Sequence, residues 1–205
     1  MRVLQVIGVM DRGGAETMVM NLYRAIDREK IQFDFLVHEQ REGDYDAEIV
    51  RLGGRIFRVP RYTGLNAISY RRHVRALFAA HPEWCVVHGH IGSCAPLYLS
   101  EAKRVGAFAI AHSHAQNYGS RLSGLAFNVA ARPVRRIADY FMACSREAGL
   151  DRFGRSIVRG GRFAIVPNGI NMASYACGER EHAETKADYG LAGRPVVCHT
   201  GRLIP

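Results

Sequence analysis

"RVLQVIGVMDRGGAETMVMNLYRAI", residues 2–26, decides the fold. Its opening run, 2–9, is short and rich in Val, Ile and Leu, the pattern of a strand buried on both faces. Gly13 and Gly14 follow. Ala15, Met18, Val19, Leu22 and Ile26 then fall on one stripe of a helix over 15–26. A buried strand, a glycine turn and an amphipathic helix are the first pieces of a βαβ unit.

The same alternation runs on through the chain. Residues 31–38 read as a second strand, 45–54 as a helix ended by Gly53-Gly54, and 55–60 as a third, shorter strand. Asn66 is placed to cap a helix over 67–80. Strands follow at 84–90, 107–114, 138–145 and 162–170, and helices at about 93–105, 121–137 and 146–153. Pro133 is expected to kink or break the 121–137 helix, and Ser145 to cap the 146–153 helix. Strands separated by helices in single file predict right-handed crossovers and a doubly wound parallel α/β sheet. Such sheets bind ligands beyond the carboxyl ends of their strands. Gly13-Gly14, His38, His88, His90, His112, His114, Ser145, Asn168 and Gly169 all lie there.

The tail differs. Residues 1–175 read as the domain, 176–193 as a linker with a charged helix, and 194–205 as a new strand with a Gly-Arg turn. That strand is expected to open a second domain, so the chain reads as partial. The alternative is a natural one-domain form whose last strand docks on the sheet edge.

Composition narrows the class. The chain has 205 residues, 28 Lys+Arg against 19 Asp+Glu, and a formal charge of +9, so its surface attracts anions. The five cysteines are odd in number, widely spaced and form no CxxC pair, which argues against a disulfide framework or a zinc ribbon and suits a reducing cytoplasm. No signal peptide is read at the N-terminus, and no apolar run approaches the ~20 residues that span a bilayer. A nucleic-acid role is disfavoured because the arginines are dispersed and no aromatic-basic platform accompanies them. Gly8, Gly13 and Gly14 miss the G-x-G-x-x-G spacing, which disfavours a dinucleotide oxidoreductase.

Two motifs carry chemistry. Gly13-Gly14 before a helix lets backbone approach a phosphate or a sugar hydroxyl, where unpaired N–H groups and a partial positive charge await it; equally, the pair is a turn that needs glycine. The histidines form two His-x-His pairs at strand ends, with i and i+2 on one face. Taken singly each reads as a structural side chain; four on one sheet edge read as a site. Metal binding is disfavoured because carboxylate partners are missing. Acid–base catalysis or phosphate hydrogen bonding remains. Arg121, Arg132, Arg135 and Arg136 make the 121–137 helix basic and amphipathic, suited to an anionic bilayer or to packing on the sheet.

The segments "GGAETMVMNLYRAID", "IQFDFLV", "LGGRIFRVPR", "VVHGHIGS", "AIAHSH", "DYFMACSREAG", "FGR", "VPNGIN" and "HTGRLIP" occur in that order over nearly the whole chain. Together they resemble the N-terminal, acceptor-side half of a GT-B glycosyltransferase of the retaining, family-4-like kind that builds exopolysaccharides, capsules and glycolipids. The resemblance implies transfer of a sugar from a UDP- or GDP-sugar to a saccharide acceptor, with a lipid-linked acceptor at the inner membrane face as the leading expectation. It implies that Gly13 and Gly14 lie against the donor's diphosphate and sugar, that His112 sits close to the reacting sugar, and that Arg202 contacts the diphosphate. His88, His90, His114, Ser145 and Asn168 are grouped with them as candidate donor- or acceptor-binding residues. No cofactor and no metal are expected, since Arg, Lys and helix dipoles would neutralise the leaving diphosphate. The family's lysine after "GRLIP", its E-x7-E element and its donor domain are missing, so the chain by itself is expected to be inactive. The alternative is a stand-alone acceptor-binding or regulatory module that works with a separate donor-domain chain.

Overall fold

The computed structural model describes residues 1–114, 131–170, 172, 176 and 178–197. Among them the elements run β1 (Arg2–Val6), α1 (Gly14–Ala25), β2 (Gln32–Val37), α2 (Asp46–Arg51), β3 (Ile56–Arg58), α3 (Ala67–Ala80), β4 (Trp84–Gly89), α4 (Ala95–Arg104) and β5 (Phe108–Ser113). Then come α5 (Val134–Ile137), β6 (Tyr140–Ala143), α6 (Arg146–Phe153), α7 (Arg155–Val158), β7 (Phe163–Ile165) and α8 (Glu179–Asp188). The described strands form one parallel sheet in the order β3-β2-β1-β4-β5-β6-β7. Winding reverses between β1 and β4, so the switch point of this doubly wound sheet lies between their carboxyl ends.

Alternate residues of each strand feed two cores. Leu4, Val6, Leu36, Val87, Ala109 and Phe141 face α3 and α4 with Tyr70, Val74, Tyr98 and Leu99. Val3, Ile7, Phe33, Phe35 and Val37 face α1 and α2 with Met18, Val19, Tyr23 and Ile49. Gly53 takes φ +90° just beyond α2, the left-handed conformation expected of it.

Compact packing divides the chain into Met1–Gly169 and Ile170–Pro205. In the second unit α8 has no buried residue, and residues 194–197, the described part of the expected 194–205 strand, are not in a strand. A strand needs a neighbour to satisfy its backbone, and none pairs with this segment among the described residues. Residues 198–205, with Arg202, and residues 115–130, the greater part of the expected 121–137 helix, lie outside the described residues.

The amino ends of four segments are stitched by one carboxylate. Asp34 of β2 is fully buried and pairs with Arg2 of β1 and with Arg55 just ahead of β3. It also accepts from the Trp84 indole N–H of β4 at 2.7 Å. The two guanidinium groups are 31% and 39% exposed and can turn to water if the acceptor is lost. The buried indole cannot. Asp34→Ala is therefore expected to lower the unfolding free energy by about 1–3 kcal/mol, the cost of a stranded donor and the lost charge-assisted bonds. A urea denaturation midpoint read against wild type checks it.

Candidate functional site

β4 ends in His88-Gly89-His90 and β5 in His112-Ser113-His114. The strands pair in register with His88 opposite Ile110. The i, i+2 rule therefore puts all four imidazoles on one face, the face that α1 and α2 cover over β1 and β2. They meet as a ladder. The rings of His88 and His112 stack with centroids 5.2 Å apart and planes 7° from parallel. His88–His90 centroids are 4.2 Å apart and His112–His114 centroids 4.0 Å.

Gly89 makes this approach possible. A Cβ there would collide with the ring of Tyr98 of α4. Tyr98 instead lies beneath the turn and donates to the Ile91 carbonyl at 2.9 Å, which fixes the loop that carries His90.

The hydrogen bonds set the protons. His90 Nε2 meets Gln5 Oε1 at 2.8 Å, and an amide oxygen only accepts, so this nitrogen carries the hydrogen. His90 Nδ1 then has a lone pair and accepts from His114 Nε2 at 2.7 Å. His88 Nε2 and His112 Nδ1 share one proton across 3.1 Å. His112 Nε2 is buried with no hydrogen-bond partner among the described residues. His114 Nδ1 faces Asn168 without reaching hydrogen-bond geometry. Burial, and then the neighbouring imidazoles, push His88 down to about 3 and His112 to about 2. His90 is held well below its ordinary value for the same reasons. Burial takes His114 to about 4, opposed by Asn168.

One concavity adjoins the ladder and a second lies beyond Ile91, which lines both. One, about 160 Å³, is walled by His90, His112, His114, Arg152 and Phe153. The other, about 970 Å³, opens over the β1–β2 side between His38, Glu39, Arg61, Tyr62, Ser93 and Cys94. His38 is a structural member of its floor. Its Nδ1 bonds the Ile7 carbonyl at 3.0 Å and its Nε2 takes the Tyr70 hydroxyl at 2.7 Å. Burial raises the Cys94 thiol beside it to about 11, so it is an inert thiol.

The other expected residues divide. Gly14 lies near Asn168, whose amide nitrogen would sit 3.6 Å from a Cβ on that glycine. Asn21 of α1 donates to the Gly169 carbonyl at 3.0 Å. The segment 166–169 therefore crosses from β7 back over the strand ends to α1. The helix N-terminus behind Gly13 is already served: the Glu16 side chain folds back over Gly13, and any Cβ there would strike it. Ser145 accepts from Ala148 N–H at 3.1 Å and caps α6. Asn66 does not cap α3. It accepts from Thr63 N–H and donates to the Arg61 carbonyl, tying the rim of the larger cleft. Sequence reasoning passed over Gln5 and Glu16. Gln5 was signalled by being the one polar residue inside "VLQVI"; Glu16 by its third-residue spacing from Gly13.

A ligand-sized cleft at the switch point of a doubly wound sheet, beside a ladder of neutral imidazoles, suits recognition of a polar, hydroxyl-rich molecule. The family model described as "Glycosyl transferase 4-like domain" matches residues 13–169. The chain belongs to the glycosyl transferase 4-like family. It is 36% identical over 210 residues to a putative glycosyltransferase EpsF of Bacillus subtilis (strain 168), covering 98% of this chain and 54% of that protein. It is 29% identical over 167 residues to a GDP-mannose-dependent α-(1-6)-phosphatidylinositol monomannoside mannosyltransferase of Mycolicibacterium smegmatis, covering 79% of this chain and 42% of the relative. Among solved structures, Anabaena Alr3699/HepE in complex with UDP superposes with a TM-score of 0.72 at 14% identity, over 94% of this chain and 50% of that one. A Rickettsia africae glycosyltransferase does so with a TM-score of 0.67 at 10% identity, over 94% and 50%. The glycosyl transferase 4-like chain thus spans about half the length of the relatives it matches.

The ladder makes this domain acid-sensitive. Unfolded imidazoles titrate near 6.5. Below that pH the unfolded chain binds protons that the folded chain refuses, so stability is complete above 6.5 and falls as pH drops. Each of the four ladder rings adds up to about 1.4 kcal/mol per pH unit while it is charged in the unfolded chain and neutral in the folded one. Against a domain stability of ~5–15 kcal/mol, unfolding is expected within a few pH units below 6.5. His114→Asn should flatten the profile by about one proton. Urea midpoints in a pH series with chelator present read both.

Proposed function

We propose that the chain is the acceptor-side half of a glycosyltransferase that moves a sugar from a UDP- or GDP-sugar to a saccharide acceptor with retention of configuration. The observation that carries the reading is the family match over residues 13–169. The cleft and the histidine ladder supply a place for the reaction. The acceptor occupies the open cleft, where Glu39, Arg61, Tyr62 and Ser93 offer hydrogen bonds and an aromatic edge to sugar hydroxyls. The donor's sugar sits against the ladder. His112, neutral and with its Nε2 unpaired among the described residues, hydrogen-bonds the reacting sugar without adding a proton that would hydrolyse the donor. His88 and His90 hold the ladder, and His114 with Asn168 lines its outer side. Gly14 leaves room for the donor. Gly13 serves it only when the Glu16 carboxylate swings away, because that carboxylate already occupies the helix end. The nucleotide is gripped mainly by the donor-side half, where Arg202 meets the diphosphate, and no resident cofactor takes part.

A lipid-linked acceptor is favoured by the surface beside the cleft. Leu65 is 99% and Ile68 80% exposed, one turn apart at the start of α3. Arg72 borders the same shallow hollow, and Arg61 lines the cleft. Two bare aliphatic side chains flanked by arginines on a chain of charge +9 suit an anionic bilayer. No helix among the described residues is long and apolar enough to cross one.

In the enzyme that contains this chain, His112→Ala is expected to lower kcat by about 10²–10³-fold, with the KM for acceptor little changed. The 205 residues alone should not turn over a nucleotide sugar; turnover by them would overturn the division of labour. NMR of the anomeric proton in the product tests retention. Leu65→Glu with Ile68→Glu should abolish sedimentation with phosphatidylglycerol vesicles at low salt and leave transfer to a soluble saccharide intact.

A further inference from the structure

Four imidazoles are more than sugar recognition asks for. A sugar hydroxyl needs one donor or acceptor; this edge gathers His88, His90, His112 and His114 within 5.4 Å, ring centroid to neighbouring centroid. Neutral imidazole is the ligating form, and each ring can offer one lone pair. A ligand nitrogen from each of His88, His90 and His112 lies within 4.8 Å of the other two. Tetrahedral coordination at about 2.0–2.1 Å separates ligand nitrogens by about 3.3 Å. The His88–His112 pair is already at 3.1 Å. Two nitrogens, on His112 and His114, are buried without a hydrogen-bond partner among the described residues, so the cluster holds unspent lone-pair or donor capacity.

The surroundings are those of a metal site as well. Gln5, itself 1% exposed, holds His90 Nε2–H and so turns Nδ1 inward as an acceptor. Metal-ligating histidines are commonly oriented by such an outer acceptor. Gly89 and Tyr98 fix the turn between the first two rings. The grouping contains only nitrogen donors. That selects zinc, copper, nickel or cobalt over magnesium and calcium, which want oxygen.

We propose that His88, His90 and His112 form a site for a divalent transition-metal ion, with His114 as a fourth ligand or guard, and that its occupation inhibits sugar transfer. The inhibition clause rests on the role given to His112 above; the metal site does not. Binding replaces the His88–His112 hydrogen bond and the bond that His114 Nε2 donates to His90 Nδ1. The proton shared there moves to the far nitrogen of the ring that carried it, so the neutral rings bind the ion with no proton released. An ion on His112 Nδ1 fixes that ring as an Nε2–H donor and sets a divalent charge beside the reacting sugar, so the ring no longer meets the sugar as the free neutral imidazole that transfer uses.

The probe is Co²⁺, added to the purified 205-residue chain and read by its visible d–d bands, followed by displacement with Zn²⁺. One ion per chain with tetrahedral band intensity is expected. His88→Gln and His112→Gln should each weaken binding by about 100-fold, and Gln5→Ala by about 10-fold. His73→Gln and His182→Gln, on α3 and α8, should leave it unchanged. Far-UV circular dichroism monitors folding; should a ladder variant misfold, Gln5→Ala and His114→Asn carry the test. Absence of stoichiometric binding, or binding that survives the ladder substitutions and Gln5→Ala, overturns the site. In the enzyme that contains the chain, Zn²⁺ should abolish transfer and chelator restore it. Stoichiometric binding with transfer unaffected would keep the site and refute both the inhibition and the role of His112.

Discussion

The parallel pairing of β1 with β4 is the constraint on which the site depends. Five residues of β1 pair with β4, from Arg2 opposite Trp84 to Val6 opposite Gly89. Because winding reverses there, neither strand's following helix roofs the gap between their carboxyl ends. The same register places Gln5 opposite His88, within reach of His90. Slipping it by one residue would turn Gln5 to the other face and leave the ladder unanchored. Asp34 guards against such a slip at the far end, since it binds Arg2, Arg55 and Trp84 at once.

The ladder is held by geometry rather than by charge. Few titratable groups tolerate this crowding; imidazole does because desolvation leaves it neutral, and a neutral ring is both donor and acceptor. The chain Gln5, His90, His114 runs in one direction because the glutamine oxygen can only accept. Its outer end, at Asn168, is therefore a lone pair in search of a donor. Polarity at this edge is thus built from oriented neutral groups, the kind of environment that discriminates hydroxyls without attracting water-borne ions indiscriminately.

Much of this was legible in the sequence. Short apolar runs and 3.6-residue stripes located the seven described strands and most of the helices, because burial on both faces leaves runs rich in Val and Ile. The two His-x-His pairs at strand ends placed the ladder for the same reason. What stayed hidden depended on distant contacts. Asn66 sits at the cap position of α3, yet its amide ties Thr63 to Arg61 instead, a choice set by loop shape. Glu16 reads as an ordinary first-turn acid until its fold back over Gly13 is seen. The strand expected from 194 is described only at residues 194–197, which have no strand partner among the described residues.

The crossing of residues 166–169 from β7 to α1 sets an order of events during synthesis. Asn21 and Gly169, joined by one hydrogen bond, are separated by 148 residues. Strands β1 to β6 can pair as they leave the ribosome, each against a neighbour already present or soon to follow. Asn168 cannot meet Gly14 or His114 until nearly the whole domain has emerged. Ladder and sheet are therefore assembled early, and the rim that borders them last. A nascent chain arrested before residue 166 would lack Asn168, and with it the neighbour that Gly14 and His114 have in the finished domain.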